Sequence, residues 1–111
     1  MAETYKRLAQ GRLPAVGGTT ELFDVPAATQ VIIKSINISN NTSTAYEVTL
    51  HHVTNGGSLA NTNIILPGVS SQAGGWAEYD GTICMAATTE IHGFASAANE
   101  VSFTIWGVEI T

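Results

Sequence analysis

Any chemistry in this chain has to draw on His51, His52 and His92, its only imidazoles, and on the carboxylates near them in sequence, Glu47 and Glu90. Neutral imidazole nitrogen and carboxylate oxygen are zinc ligands, and a site needs three or four of them converging on one point. Successive residues on a strand point to opposite faces, so His51 and His52 cannot share an ion within one chain. His51 with His92 and Glu47 or Glu90 converge only if separate strands bring them together. Polar side chains on a solvated sheet face account for the same residues without an ion, and no metal or cofactor is expected.

Covalent chemistry has less to work with. None of the serines sits in a GxSxG elbow, and Cys84 has no recognisable His and Asp context. As the lone cysteine it closes no disulfide within the chain, and its apolar surroundings, 82-TICMAA-87, predict a buried, inert thiol. Glu78, Asp80 and Glu90 offer carboxylate pairs of the kind glycosidases use, as any acidic chain does. The glycine doublets at 17–18, 56–57 and 74–75 open no GxGxxG or Walker loop. The chain is therefore read as a non-enzyme. Trp76 and Tyr79, in 72-QAGGWAEYDG-81, make one candidate recognition loop, because exposed aromatic faces stack on sugar rings. Three residues apart, they fall on opposite faces of a regular strand, and the competing reading has one ring in the core and the other at a rim or subunit contact.

The elements that must position these residues are strands. Short β-rich runs alternate with Gly, Pro, Asn and Ser clusters about every ten residues, which predicts an all-β antiparallel sandwich of about eight strands, of jelly-roll type as one option. Residues 1–18 read as an extended N-terminal arm carrying Leu8, Leu13, Pro14 and Val16, and residues 19–111 as the sandwich domain. Strands are expected at 19–25, ended by Pro26; at 30–39; at 45–53; from 64; within 69–81, interrupted by Gly74 and Gly75; at 82–87, after a tight turn at Asp80-Gly81; at 88–97; and at the C-terminus. Asn55-Gly56 is a hairpin signal. In 30-QVIIKSINIS-39, Ile32, Ile36 and Ile38 share a face with Lys34 while Val31 and Ile33 lie opposite, so the start of this strand is expected to be covered on both sides.

The last strand poses the sharpest question. In 99-NEVSFTIWGVEIT-111, Val101, Phe103 and Ile105 occupy one face, and Trp106, Val108 and Ile110 the other. Two readings stand side by side. A β-bulge near Gly107 would rotate the second row into the core. Otherwise the strand is regular and the second row meets a neighbouring subunit with Trp106 as anchor. Leu8, Leu13, Val16, Trp106, Val108 and Ile110 together form the candidate assembly surface.

Composition narrows the partners. A chain of 111 residues has one core, and a domain this size buries roughly two thirds of its unfolded surface. The formal net charge is −5, and no Lys or Arg follows Lys34, which argues against nucleic acid as a partner. Charged residues make up only 12% of the chain, a surface composition suited to being covered by copies of itself or by a partner. The start, MAETYKRLAQGRLP, has no apolar run behind its basic residues and nothing later has membrane-spanning length, so synthesis and first folding in a cytoplasm are expected, with no membrane partner.

The segments TYKRLAQG, 22-LFDVPAATQVIIKSINISNNTSTAYEVTLHHV-53, GGSLANTN and GFASAANEVSFTIWGVEI resemble, in that order, the strands and turns of small tailed-bacteriophage virion structural proteins. The likeness spans nearly all of the chain. It departs at Phe23-Asp24, where the group has Tyr-Thr, and in the longer, more aromatic segment around Trp76. The resemblance implies a β-sandwich that decorates or cements a capsid, or sits in the neck or tail, in a virion assembled in the host cytoplasm. It implies homo-oligomers, trimers among them, and contacts with capsid or tail proteins; a host glycan would be the partner of the alternative, a recognition module on a tail or fibre. It carries over no catalytic or binding residues.

Overall fold

The computed structural model describes residues 3–15, 20–54 and 57–111. Eight strands follow one another: β1 (Glu3–Arg12), β2 (Glu21–Asp24), β3 (Gln30–Ser39), β4 (Tyr46–Thr54), β5 (Ile64–Ser71), β6 (Trp76–Met85), β7 (Thr89–Ala95) and β8 (Ser102–Ile110), with a single 3-10 turn at Asn61–Asn63. They build two antiparallel four-stranded sheets, sheet A in the order β1-β8-β3-β6 and sheet B in the order β2-β7-β4-β5. The pairs β1–β8, β2–β7, β3–β6 and β4–β5 are each antiparallel and hydrogen-bonded. Ile33, Ile36, Ile38, Phe103 and Ile105 from sheet A meet Val48, Leu50, Ile91 and Ala95 from sheet B in one apolar core.

The N-terminal segment differs from the expected arm. Glu3–Arg12 is the edge strand of sheet A, paired with β8 along its length. Leu13 is wholly buried in the core, its N–H donating to Val101 O at 2.7 Å. An apolar residue at that point has a core to enter, and its burial offsets the roughly 1–2 kcal/mol of backbone ordering. Val16 and the Asn55-Gly56 hairpin signal lie outside the described residues.

The slip in the last strand has its cause in the neighbours. β8 itself keeps regular alternation: Val101, Phe103, Ile105 and Gly107 are buried, and Trp106 is exposed. The register shifts fall instead between Ile33 and Ser35 on β3 and between Arg7 and Ala9 on β1, so Lys34 and Leu8 are the extra residues. On β6 the shift spans Gly81 and Thr82, since Ile33 pairs with Ile83 but Ser35 with Asp80. A crease thus crosses sheet A at one level, with β8 passing straight through. The bulge at Lys34 puts Val31 and Ile33 on the same core-facing side as Ile36 and Ile38, which replaces the expected two-sided cover of this strand. It also replaces the expected turn at Asp80-Gly81, because β6 runs through that point as a bulged strand. Gly107 faces this crease, and a Cβ there would lie 2.3 Å from Ile32 O, so the close approach of β3 requires glycine.

The connection from β3 to β4 is short and locally satisfied. After β3, Asn40 is buried, donates from Nδ2 to Thr44 O at 2.8 Å and Ser71 O at 3.0 Å, and accepts from Thr42 N at 3.0 Å and Thr42 Oγ1 at 2.7 Å. This side chain closes the 40-NNTST-44 turn and ties it to the end of β5. An Asx side chain can replace the backbone partners that a sharp turn between sheets leaves without ladder bonds.

Candidate functional site

Two surfaces collect the residues with functional potential, the outer face of sheet B and the outer face of sheet A. On sheet B, His51 and His92 are directly opposite each other across β4 and β7. His52, as its position beside His51 requires, points the other way, into the row of Ile91 and Phe23. Burial lowers the pKa of His52, because the imidazolium would lose hydration there, and its Nε2 is buried without a hydrogen-bond partner.

His51 is held by the loop that follows β4. Its Nδ1 lies 2.6 Å from Asn63 Oδ1, an oxygen that also accepts from Ala60 N at 3.1 Å, so His51 is the donor and carries its proton on Nδ1. Its ring stacks on Phe94 with centroids 6.2 Å apart. His92 uses both ring nitrogens, Nδ1 at 2.8 Å from Thr20 Oγ1 and Nε2 at 2.6 Å from Glu90 Oε1. A hydroxyl, an imidazole and a carboxylate stand in line, the order of a nucleophilic relay. Thr20 is also tied down through its backbone, its carbonyl accepting from Gly93 N at 2.9 Å. The arrangement fastens the chain entering β2 onto β7.

Beside this chain, carboxylate oxygens of Glu21, Asp24 and Glu90 lie within 4.8 Å of one another. The sequence pointed to Glu90 with His51 and His92; Glu21 and Asp24 are the members it missed, and only the pairing of β2 with β7 brings them there. Glu47 lies farther along β4, opposite Ser70, outside this group. Glu90 is committed to His92, while Glu21 and Asp24 are exposed.

Trp76 and Tyr79 do not form a platform. Trp76 is 76% exposed on the outer face of sheet A, opposite Ser39. Tyr79 pairs with Ile36, packs against the core, and lays its ring over Gly81, where a Cβ would come within 3.2 Å. Cys84 corrects the expectation of a buried thiol. Strand alternation sends Ile83 and Met85 inward and leaves Cys84 exposed.

The outer face of sheet A is divided by the crease. On one side the cross-strand rows are polar: Gln10, Thr104, Asn37 and Glu78, then Arg12, Ser102 and Ser39 with Trp76 at the end. Gln10 Nε2 donates to Thr104 Oγ1 at 3.2 Å and Ser35 Oγ to Glu78 Oε2 at 3.0 Å, as on a surface built to face water. On the other side, Tyr5, Val108, Ile32 and Cys84 form one row, and in the next Ile110 stands between Glu3 and Gln30. Trp106 stands at the boundary in the row of Arg7, Ser35 and Asp80. Tyr5 is 66% and Trp106 38% exposed.

No family model, curated protein or solved structure matches this chain. Of the residues assigned to an assembly surface from sequence, Trp106, Val108 and Ile110 share the outer face, Leu8 packs against the core, and Leu13 is part of it. Tyr5, Ile32 and Cys84 belong to the patch and were missed. The bulge at Lys34 fixes which β3 residues turn outward, and it carries no signature in the sequence. Among the described residues no helix is long and apolar enough to cross a membrane.

Proposed function

We propose that this protein is a non-enzymatic structural subunit of a tailed-bacteriophage virion, a decoration or cement subunit that packs against copies of itself and against capsid or tail proteins, assembled in the host cytoplasm. The observation that carries the reading is the apolar half of the outer face of sheet A, where Tyr5, Ile32, Val108 and Ile110 lie beside Trp106 while the other half of the same face is polar. A sheet face needs apolar residues only where something covers it. The low charge content supports the same reading, as does the strand order, which we read as a jelly roll, an architecture suited to rigid shell subunits. The likeness of TYKRLAQG, 22-LFDVPAATQVIIKSINISNNTSTAYEVTLHHV-53 and GFASAANEVSFTIWGVEI to phage virion proteins supplies the biological setting.

Salt does not screen an apolar contact, so the test is solution mass by light scattering at about 0.5 M salt, where interactions between exposed charges are largely screened. Wild-type chains should associate. Trp106→Ser should weaken that association by at least about 30-fold, the effect of losing a central aromatic anchor worth about 2 kcal/mol, while leaving the fold intact. Wild-type chains that stay monomeric at every concentration would overturn this reading.

A further inference from the structure

The two open edges of sheet A are β1 and β6. Each is ten residues long, which among the described residues leaves a row of outward backbone N–H and C=O groups without ladder partners. Their charges are opposite. β1 holds Lys6, Arg7 and Arg12, three of the four basic residues in the chain, with Glu3 the one acidic residue. β6 holds Glu78 and Asp80 and no basic residue. Among the described residues, none of Arg7, Arg12, Glu78 and Asp80 has an ion-pair partner; the ion pairs present are Lys6–Glu109 and His92–Glu90.

We propose that β1 of one copy pairs with β6 of the next, so that sheet A continues from subunit to subunit. Strand direction alternates across β1-β8-β3-β6, so β1 and β6 run oppositely, and a copy placed beside the first in the same orientation presents β1 antiparallel to β6. The cross-strand rows then continue. Arg7 and Asp80 end one outer-face row and Arg12 and Trp76 end another, so the next copy sets Arg7 against Asp80 and Arg12 over the Trp76 ring. The crease, which reaches both edges at Leu8 and at Gly81 and Thr82, passes through the junction in step. The other sheet does not oppose this contact: β2, beside β1, carries Glu21 and Asp24, and β5, beside β6, carries no charge. A head-to-tail contact of this kind closes into a ring or runs on as a filament according to the rotation between copies.

Sedimentation velocity of the full chain in the Trp106→Ser background, which removes the apolar face contact, isolates the edges. At about 0.05 M salt the expected result is association that strengthens with concentration and is reduced at least about tenfold by about 0.5 M salt. Arg7→Asp and Asp80→Arg should each abolish it, and the two combined in one chain, or an equimolar mixture of the two single variants, should restore it in part. Because β1 of either variant is complementary to β6 of the other, the mixture should assemble with the two variants alternating, whereas each single variant alone should stay monomeric. Monomers at low salt, reversals without effect, or a double variant no better than its parents would each overturn edge pairing. Loss of all association in the Trp106→Ser background alone would overturn it too, while leaving the apolar face as the contact between copies.

Discussion

Gly107→Ala tests whether the crease in sheet A explains the double apolar row of the last strand. The added Cβ would sit 2.3 Å from Ile32 O, 3.0 Å from Ile33 Cα and 3.0 Å from Leu8 Cδ1. Two of those atoms are backbone, so a side-chain rotation cannot relieve the contact, and β3 must move from β8 by about 1 Å in an interior packed as densely as a crystal. Losing about two ladder hydrogen bonds at roughly 1 kcal/mol each, with about 1–3 kcal/mol of overpacking, gives a cost of about 3–5 kcal/mol. That is a large part of the total of about 5–15 kcal/mol typical of a domain. Thermal and denaturant unfolding followed by circular dichroism should show a fall in Tm of at least about 10 °C. Gly11→Ala is the control, since its Cβ would meet only the tip of the Phe103 ring at 3.3 Å, and it should cost less than about 1 kcal/mol. A Gly107→Ala variant within about 0.5 kcal/mol of wild type would refute the close approach of β3 to β8 and with it the placement of the bulge at Lys34.

Asn40→Ala removes one buried side chain that serves four polar partners, and chemical denaturation should register a loss of about 2–4 kcal/mol; a loss below about 0.5 kcal/mol would mean the turn is held by its backbone alone. His52 takes up its proton less readily folded than unfolded, so as pH falls through 6.5 the unfolded chain gains a proton first and stability declines, levelling off only below the depressed folded value. The difference in unfolding free energy between wild type and His52→Phe should therefore shift in favour of the variant between about pH 7 and pH 5, and a pH-independent difference would contradict it. In the Trp106→Ser background at about 0.5 M salt, where copies should be apart, one thiol per chain should titrate with a small aromatic disulfide reagent, since Cys84 is on the outer face; a thiol that reacts there only after unfolding would contradict that exposure.

How much of this was legible in the sequence depended on range. β3 runs over 30–39 as its β-branched alternation indicates, and the two-sheet all-β class follows from strand spacing alone. What the sequence concealed is the register between strands. A bulge at Lys34 is one residue in excess over a partner strand whose flanking pairs, Ile33 with Gly107 and Ser35 with Trp106, lie far apart along the chain, and no local pattern marks it. The same ignorance turned β1 into an arm, because TYKRLAQG is polar enough to suit an edge strand or an extended tail equally. Cys84 was misplaced by composition where parity would have served, given that Ile83 and Met85 already claim the core side. For the functional surface, Trp106, Val108 and Ile110 could be grouped by alternation within β8, whereas Tyr5, Ile32 and Cys84 join them only through the pairing of β1, β3 and β6. The acidic group of Glu21, Asp24 and Glu90 was likewise hidden until β2 met β7.

The most direct test of the structural role is the solution mass of the wild type, Trp106→Ser and Val108→Thr at about 0.5 M salt, with circular dichroism to verify folding. The account predicts wild-type association and two folded variants that fall toward monomer. A wild type that is monomeric throughout, or variants that unfold without any change in association, would contradict the assignment of this face to assembly.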